Sequence, residues 1–315
     1  KGSLVFNSMV GRICMWSTRT FKLENYSYKS KKKYKSHFFY LLFDNVWKFH
    51  IRRREVMKQI LYKLAKKYIK YYEGFSYNFN KNGEQYVLKS LSNFPIKTVF
   101  DVGANTGEWS KLAAGYFNEA DFHLFELSES TFITLEKGIE SKTNFRLNNQ
   151  GLSNSSGIVT YQDYGTNSGL NSILQDVSYH KSDYENKEGL VTTGDEYCLK
   201  HKIEQIDILK IDVEGAENMV LEGFSQMLEK QAINIIQFEY GYTHADAHYL
   251  IKDFYKFLNG FGYKLGPLKK RGAIFMDFDY GLNDFNSGPN YIAVSDKRDD
   301  FFNVLSGPKI PHFPK

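Results

Sequence analysis

The 315-residue chain is 42% hydrophobic and 17% aromatic, enough for one large domain with an appendage or for two modest ones. It has no apolar run near the roughly 20 residues of a membrane span, no secretory-signal pattern, and only two distant cysteines, Cys14 and Cys198, which exclude a disulfide framework. The net charge of +5 hides an asymmetry: residues 1–75 hold 18 Lys and Arg against 4 Asp and Glu, net +14, and the remainder is net −9.

The first residue is Lys, which reads as the start of a processed or excised piece of a longer protein. Residues 1–43 are aromatic and weakly patterned, with a Lys-rich stretch at Lys29–Lys35. From Asp44 to about Tyr72 the apolar positions Val56, Met57, Ile60, Leu61, Leu64, Tyr68 and Tyr71 recur at helical steps, and Lys and Arg occupy the opposite face. Asp44 or Asn45 is suited to cap this helix and Gly74 to end it.

Beyond residue 85, strand-like and helix-like stretches alternate. Strands are expected at 98–102, 122–126, 144–149, 206–213 and 233–240, with helices near 108–117, 129–140, 215–230 and 246–260. Such alternation implies βαβ units and a parallel sheet. Residues 150–195 break the rhythm, with only 157–161 extended, and read as an insertion or a substrate-facing loop. The last strands, 263–268, 273–278 and 290–294, lack helices between them, as when a parallel sheet is finished by antiparallel edges. The divisions expected are a basic, largely helical extension (1–85), a catalytic domain (86–300) and a tail (301–315). No internal repeat is present.

The sharpest motif is Asp101-Val-Gly-Ala-Asn-Thr-Gly107, between a strand and a helix. Gly103 and Gly107 allow a tight turn and close ligand approach, and the free N–H groups of the next helix open on the same space. Glu126, at the end of the second strand, is placed to accept both hydroxyls of an adenosine ribose. A dinucleotide fold wants G-x-G-x-x-G for its pyrophosphate. Here Asn105 stands in the middle and an acid heads the loop. That charge suits S-adenosylmethionine (SAM), whose sulfonium and ammonium are cationic.

The second motif is Lys210-Ile-Asp-Val-Glu-Gly-Ala-Glu217. Asp212 falls at the carboxyl end of a buried strand, where ligands of open α/β sheets bind. Glu214 and Glu217, three apart, are expected on one face of the next helix, where the helix dipole alone also favours acids. Glu239 ends the fifth strand on the same rim, with His244 in the following loop and His248 on the surface.

Together these stretches resemble the FkbM-type family of SAM-dependent methyltransferases over about residues 90–295. The likeness rests on Val99–Gly107, Phe125-Glu126, Asn149-Gln-Gly-Leu-Ser153 with Gly157, and Asp207–Glu217. It departs from the family at Thr193-Gly194-Asp195, where a Thr-Leu-Asp-like segment is usual. The resemblance implies a doubly wound, mostly parallel, seven-stranded α/β sheet of the class I, Rossmann-like type, with its seventh strand inserted antiparallel. It also implies SAM contacts from Asp101, Gly103, Ala104, Asn105, Gly107, Glu126, Leu127, Gly151, Leu152 and Asp212, and methyl transfer to oxygen, with sugar hydroxyls prominent.

A sugar hydroxyl needs a base as its bond to the methyl forms. Asp212 or His244 is the candidate, with Glu239 positioning the hydroxyl. A divalent metal held by Asp212, Glu239 and His244 is a minority option, since no ligand spacing specifies one. The partner expected is a sugar, glycan or glycolipid acceptor. For the basic N-terminal region three readings stay open: a packed appendage, contact with an anionic or membrane surface, and the end of an upstream glycosyltransferase domain. The compartment expected is cytoplasmic, with peripheral membrane attachment as a variant. The rivals are a nucleic-acid methyltransferase, disfavoured by the acidic Asp212-Val-Glu-Gly segment, and a catalytically idle scaffold.

Overall fold

A computed structural model describes residues 33–139, 144–165, 168–174, 177, 183–283, 285 and 288–308, with side chains from Arg52 onward. Cys14 and the basic residues before Lys33 lie outside these. By internal contacts the chain divides into residues 1–63 and 64–315. The first described element is one helix, Lys33–Glu73, which crosses that division. It begins eleven residues earlier than the Asp44 cap predicts, because no Gly or Pro interrupts residues 33–43. Gly74, with φ +71°, ends it. Its apolar positions Val56, Met57, Ile60, Leu61, Leu64 and Tyr68 are all 45–66% exposed.

The 64–315 unit is built on strands β1 (Thr98–Val102), β2 (Asp121–Phe125), β3 (Phe145–Asn148), β4 (Gly151–Leu152), β5 (Gly157–Asp163), β6 (Glu185–Thr192), β7 (Ile206–Ile211), β8 (Ile233–Glu239), β9 (Tyr263–Lys269), β10 (Gly272–Ala273) and β11 (Asn290–Ser295). The main sheet runs β10-β9-β11-β8-β7-β1-β2-β3. Strands β8, β7, β1, β2 and β3 are parallel, and β11 enters antiparallel between β8 and β9. This is the expected doubly wound seven-strand order, extended at its edge by the two residues of β10. Of the strand expected at 273–278, Gly272–Ala273 pair with β9 as strand residues, and Ile274 and Met276 go on to donate their N–H groups to the Pro267 and Leu265 carbonyls (3.0 and 3.3 Å).

Residues 150–195 are not a plain loop. They hold a three-stranded sheet, β4-β6-β5, with β5 and β6 antiparallel over seven residue pairs. The helix expected at 215–230 is two short ones, Glu217–Glu222 and Ser225–Glu229, and the one expected at 246–260 begins at Ile251 after a short turn of helix at Thr243–Asp246.

Alternate residues of a strand point to opposite faces, and here each face has its own core. Phe100, Val102, Leu209, Ile211, Ile236 and Phe238 pack on one side against Phe224, Phe254 and Leu258. Val99, Leu124, Ile208, Ile235 and Ile292 pack on the other against Val87, Leu88, Trp109, Leu135 and Phe301. Helices Glu84–Leu91 and Asp299–Leu305 contribute to this second core, so buried side chains continue beyond residue 300 and begin before 86. Gly194, where the family usually has a bulkier residue, abuts Phe224: a Cβ there would lie 2.3 Å from its ring.

Candidate active site

At the carboxyl edge of the parallel strands lies a cavity of about 530 Å³, the range of small-molecule sites. It crosses the strand ends in spatial order: Glu126 and Leu127 after β2, Val102, Gly103 and Asn105 after β1, Asp212 and Val213 after β7, Glu239 and Tyr240 at the end of β8, and Pro289 before β11. At about 4.8 Å per strand, the β2 and β8 ends are separated by roughly 14 Å. That is room for a nucleoside at one end and an acceptor at the other.

At the β1–β2 end, backbone geometry brings the two motif loops together. Gly103 has φ +80°, and a Cβ at this position would lie 1.8 Å from the carbonyl oxygen of Asp212. Only glycine permits both that conformation and that approach. Glu126 is 7% exposed; its Oε2 accepts the Asn105 N–H (2.9 Å) and its Oε1 the Ser128 N–H (2.9 Å). Burial raises its pKa to about 7, outweighing these two hydrogen bonds. Asn105 sits in the left-handed region, φ +48°, and its buried Oδ1 has no hydrogen-bond partner among the described residues. Leu127, Gly151, Leu152, Tyr161 and Val191 make the adjoining wall apolar.

Asp101 does not face this cavity, contrary to the expectation that it meets the cofactor. It precedes Val102 by one residue, so its side chain points to the other side of the sheet and is fully buried. There it joins a polar row running across three adjacent strands, Asp101 on β1, Lys210 on β7 and Gln237 on β8, which are register partners. Lys210 Nζ lies 3.5 Å from Asp101 Oδ1 and 3.0 Å from Asp212 Oδ2, and Ser110 Oγ donates to Asp101 Oδ2 at 2.7 Å. Gln237 donates to Glu84 Oε1 (2.6 Å), and Asn82 donates to the other oxygen. Ala104 and Gly107 also stay off the cavity surface. Gly107, with φ +74°, starts the helix Glu108–Ala114 against Leu135 and Ile139.

Asp212 is therefore held from beneath by a buried ammonium. Burial alone would raise its pKa, but Lys210 and the hydrogen bond from Glu239 outweigh this and hold it below the ordinary carboxylate range. Glu239 moves the other way: burial, and then the Asp212 and Glu214 carboxylates, push its pKa well up. The two neighbouring carboxyl groups are therefore pushed in opposite directions, Asp212 toward the ionised form and Glu239 toward the neutral one. Glu214 has its pKa raised by burial and by Asp212 and Glu217.

Glu214 and Glu217 do not share a helix face as expected. Glu214 is in the left-handed region, φ +55°, in a loop that precedes the helix. Glu217, 1% exposed, turns back and accepts the N–H groups of Val213 and Gly215, each at 2.9 Å, which fixes the loop that presents Asp212. His244 lines the cavity. Its Nδ1 accepts the Gly241 N–H (3.1 Å), so the neutral ring carries its proton on Nε2, which lies 2.8 Å from Glu217 Oε2. The backbone thus engages Nδ1, while Nε2 faces the Glu217 carboxylate without a hydrogen bond to any described residue. Among the described residues, no group of three His, Cys, Asp or Glu is arranged to hold a metal ion. His248 is exposed.

The sequence reading missed the aromatic lining: Phe75, Tyr77, Tyr240, Tyr242 and Phe285. Phe285 stacks on Tyr240 (5.3 Å between centroids) and lies 5.0 Å from Tyr242. Only the position of Tyr240 next to Glu239 could have signalled this. The stretch Ser168–Ser172, within the segment expected as an insertion or a substrate-facing loop, lines the cavity too. There Ser172 Oγ donates to the Glu214 carbonyl at 2.9 Å.

The residues present fit SAM at the β1–β2 end: a glycine approach with no room for a Cβ, a carboxylate with accepting capacity toward two hydroxyls, an unpaired amide oxygen and an apolar slot. Among solved structures, the fold is similar to a methyltransferase FkbM from Methylobacillus flagellatus, at 11% identity and a TM-score of 0.41, covering 73% of this chain and 58% of that one. It is similar to a Streptococcus mutans methyltransferase solved in complex with SAH, at 11% identity and a TM-score of 0.39, covering 68% and 97%. It also resembles an rRNA methylase from Streptococcus thermophilus, at 12% identity and a TM-score of 0.34, covering 66% and 92%. The chain thus spans less than two thirds of the Methylobacillus protein. No curated protein matches it. A family model, the methyltransferase FkbM domain, matches residues 101–265, from Asp101 past the cavity-lining ends of β1, β2, β7 and β8 and into β9. This chain belongs to the FkbM family of methyltransferases.

Proposed function

We propose that the protein transfers the methyl group of SAM to a hydroxyl of a sugar or glycan, with Asp212 as the base. The observation that carries this is the Asp212 carboxylate held 3.0 Å from the buried Lys210 ammonium, on the rim of a cavity it shares with Glu239 and that has no Lys or Arg among its described lining residues. Bound SAM supplies an electrophilic methyl group open to in-line displacement. Glu126 receives the ribose hydroxyls at one end, and Gly103 lets the Asp212 loop close beside the donor end of the cavity. The acceptor hydroxyl reaches the rim between Asp212 and Glu239, its oxygen forming the new bond while its proton passes to the Asp212 carboxylate. Glu239, protonated, donates to Asp212 or to the acceptor and keeps the acceptor oriented.

The same absence of cations speaks against a nucleic-acid acceptor, whose phosphates need Lys and Arg along their path. Among the described residues no helix is long and apolar enough to cross a membrane. The test is incubation with labelled SAM and a panel of free and lipid-linked sugars, with and without chelator, read by mass for a gain of one methylene. Transfer to a sugar oxygen that persists with chelator and is lost in Asp212→Asn supports the reading. Turnover by Asp212→Asn at the parent rate, or transfer to an oligonucleotide and to no sugar, overturns it.

A further inference from the structure

The family model begins at Asp101, yet part of the cavity wall comes from before it. Phe75 and Tyr77 line the same cavity as Asp212 and Glu239. They sit on a short strap between the end of the long helix at Glu73 and the helix Phe79–Asn82. The strap is pinned at a defined place in the sheet. Lys269, the last residue of β9, gives its Nζ to Glu73 Oε2 at 2.6 Å and to the Glu73 carbonyl at 2.9 Å, and this ion pair is 14–15% exposed. A Cβ on Gly288, just before β11, would lie 3.8 Å from the same carbonyl. The strap thus stands at the β9–β11 side of the cavity, four to five strands from Glu126.

That is also the side of the other aromatic lining, Tyr240 and Tyr242 after β8 and Phe285 before β11. Aromatic faces grip the C–H faces of a pyranose while carboxylates take its hydroxyls. Asp212, Glu214 and Glu239 are the carboxylates on this part of the rim. With Glu126 and Glu217 the described lining holds five acids and no Lys or Arg, which favours a neutral or amine-bearing ring and opposes one carrying phosphate.

We propose that the 73–77 strap, anchored by Lys269, forms the acceptor subsite together with Tyr240, Tyr242 and Phe285, and that the subsite selects an unphosphorylated carbohydrate ring. The proposal rests on the sugar-directed reading above and adds the residues and charge that select the sugar.

The experiment compares the whole protein with its Phe75→Ala and Tyr77→Ala variants on neutral glycosides, amino glycosides and sugar phosphates, and measures SAM affinity by calorimetry alongside. Each substitution is expected to raise the KM for the acceptor about 3- to 10-fold, the contribution of one aromatic contact, with SAM affinity unchanged. Sugar phosphates are expected to react at least tenfold more slowly than the matching neutral sugars. Tyr77 is 69% exposed, so its substitution keeps the comparison valid if Phe75→Ala fails to fold. Methyl transfer to sugars with KM unaffected in the folded variants overturns the subsite and leaves the sugar-directed reading standing. Phosphorylated sugars reacting as well as neutral ones overturn the charge selection. Transfer to no carbohydrate at all overturns both readings together.

Discussion

Glu126, proposed to hold the SAM ribose, is an acid whose burial favours its neutral form. Its pKa, raised to about 7 mainly by burial, lies above the unfolded value. The ionised form therefore costs stability that the protonated form does not, increasingly as pH rises toward 7. Ribose hydroxyls donate to a carboxylate and not to a protonated carboxyl on both oxygens, so binding is coupled to loss of this proton. SAM affinity is expected to fall about tenfold from pH 8 to pH 6, with proton release on binding near pH 6.5, measurable by calorimetry in buffers of different ionisation enthalpy. Glu126→Gln removes the pH dependence and turns an amide NH2 toward either the Asn105 or the Ser128 N–H, costing about 1–3 kcal/mol of affinity. Lys210 makes a second case. Its ammonium, 3.0 Å from Asp212 Oδ2, keeps that carboxylate ionised despite burial, so Lys210→Met raises the Asp212 pKa. The acid limb of the kcat profile then moves to higher pH, whereas a variant that merely loosened the fold would lower kcat without moving the limb. These two residues also mark what a sequence reveals at this scale. Glu126 and Asp212 are legible because they end strands. Asp101 carries the same charge in the same motif, and one position of strand parity sends it to the far face, where it steadies Lys210 instead of touching a ligand. Counting in twos from Val99 would have shown that. His244 could not be resolved this way, because the Glu217 carboxylate that faces it reaches it only in three dimensions.

At the scale of elements, the loops after β1 and β7 form one unit. The φ of Gly103 and its contact with the Asp212 carbonyl leave no space for a methyl group, and the obstacle is backbone, which cannot rotate aside. Gly103→Ala must push the two loops apart, separating the donor end of the cavity from Asp212. A melting temperature lowered by roughly 5–10 °C and loss of SAM binding are expected, seen by thermal unfolding and calorimetry. A variant that melts and binds as the parent does would show that the loops do not need this approach. The parallel strands were readable because each is a short apolar run closed by Gly or acid, and burial on both faces removes any need for polar alternation. β6 was not readable for the opposite reason: Glu185–Thr192 is mostly exposed, with Leu190 itself 58% exposed, so no apolar period marks it. Helices Glu84–Leu91 and Gly194–His201 are eight residues each, two turns, too short for a 3.6-residue period to repeat convincingly. The start of the long helix was misplaced by trusting a capping residue, Asp44, that the helix simply contains.

For the whole molecule, the charge asymmetry of the sequence corresponds to a difference in how its parts are stabilised. The 64–315 unit owns both core clusters and all eleven strands. The described side chains of 52–63 leave Val56, Met57, Ile60 and Leu61 45–58% exposed. The ion pair of Glu73 with Lys269 and the strap behind it lie within the larger unit, so removing residues 1–63 leaves the acceptor wall anchored. A chain beginning at Leu64 is therefore expected to unfold in one cooperative transition, with a melting temperature within about 4 °C of the parent, a change of roughly 1 kcal/mol at this size. It should also bind SAM within about twofold. Activity on a soluble acceptor should survive with it. If the shortened chain keeps SAM affinity but loses turnover on a lipid-linked acceptor alone, the basic segment serves acceptor delivery. Loss of SAM binding itself would mean that residues 1–63 hold the catalytic unit in shape, and that its cores do not suffice.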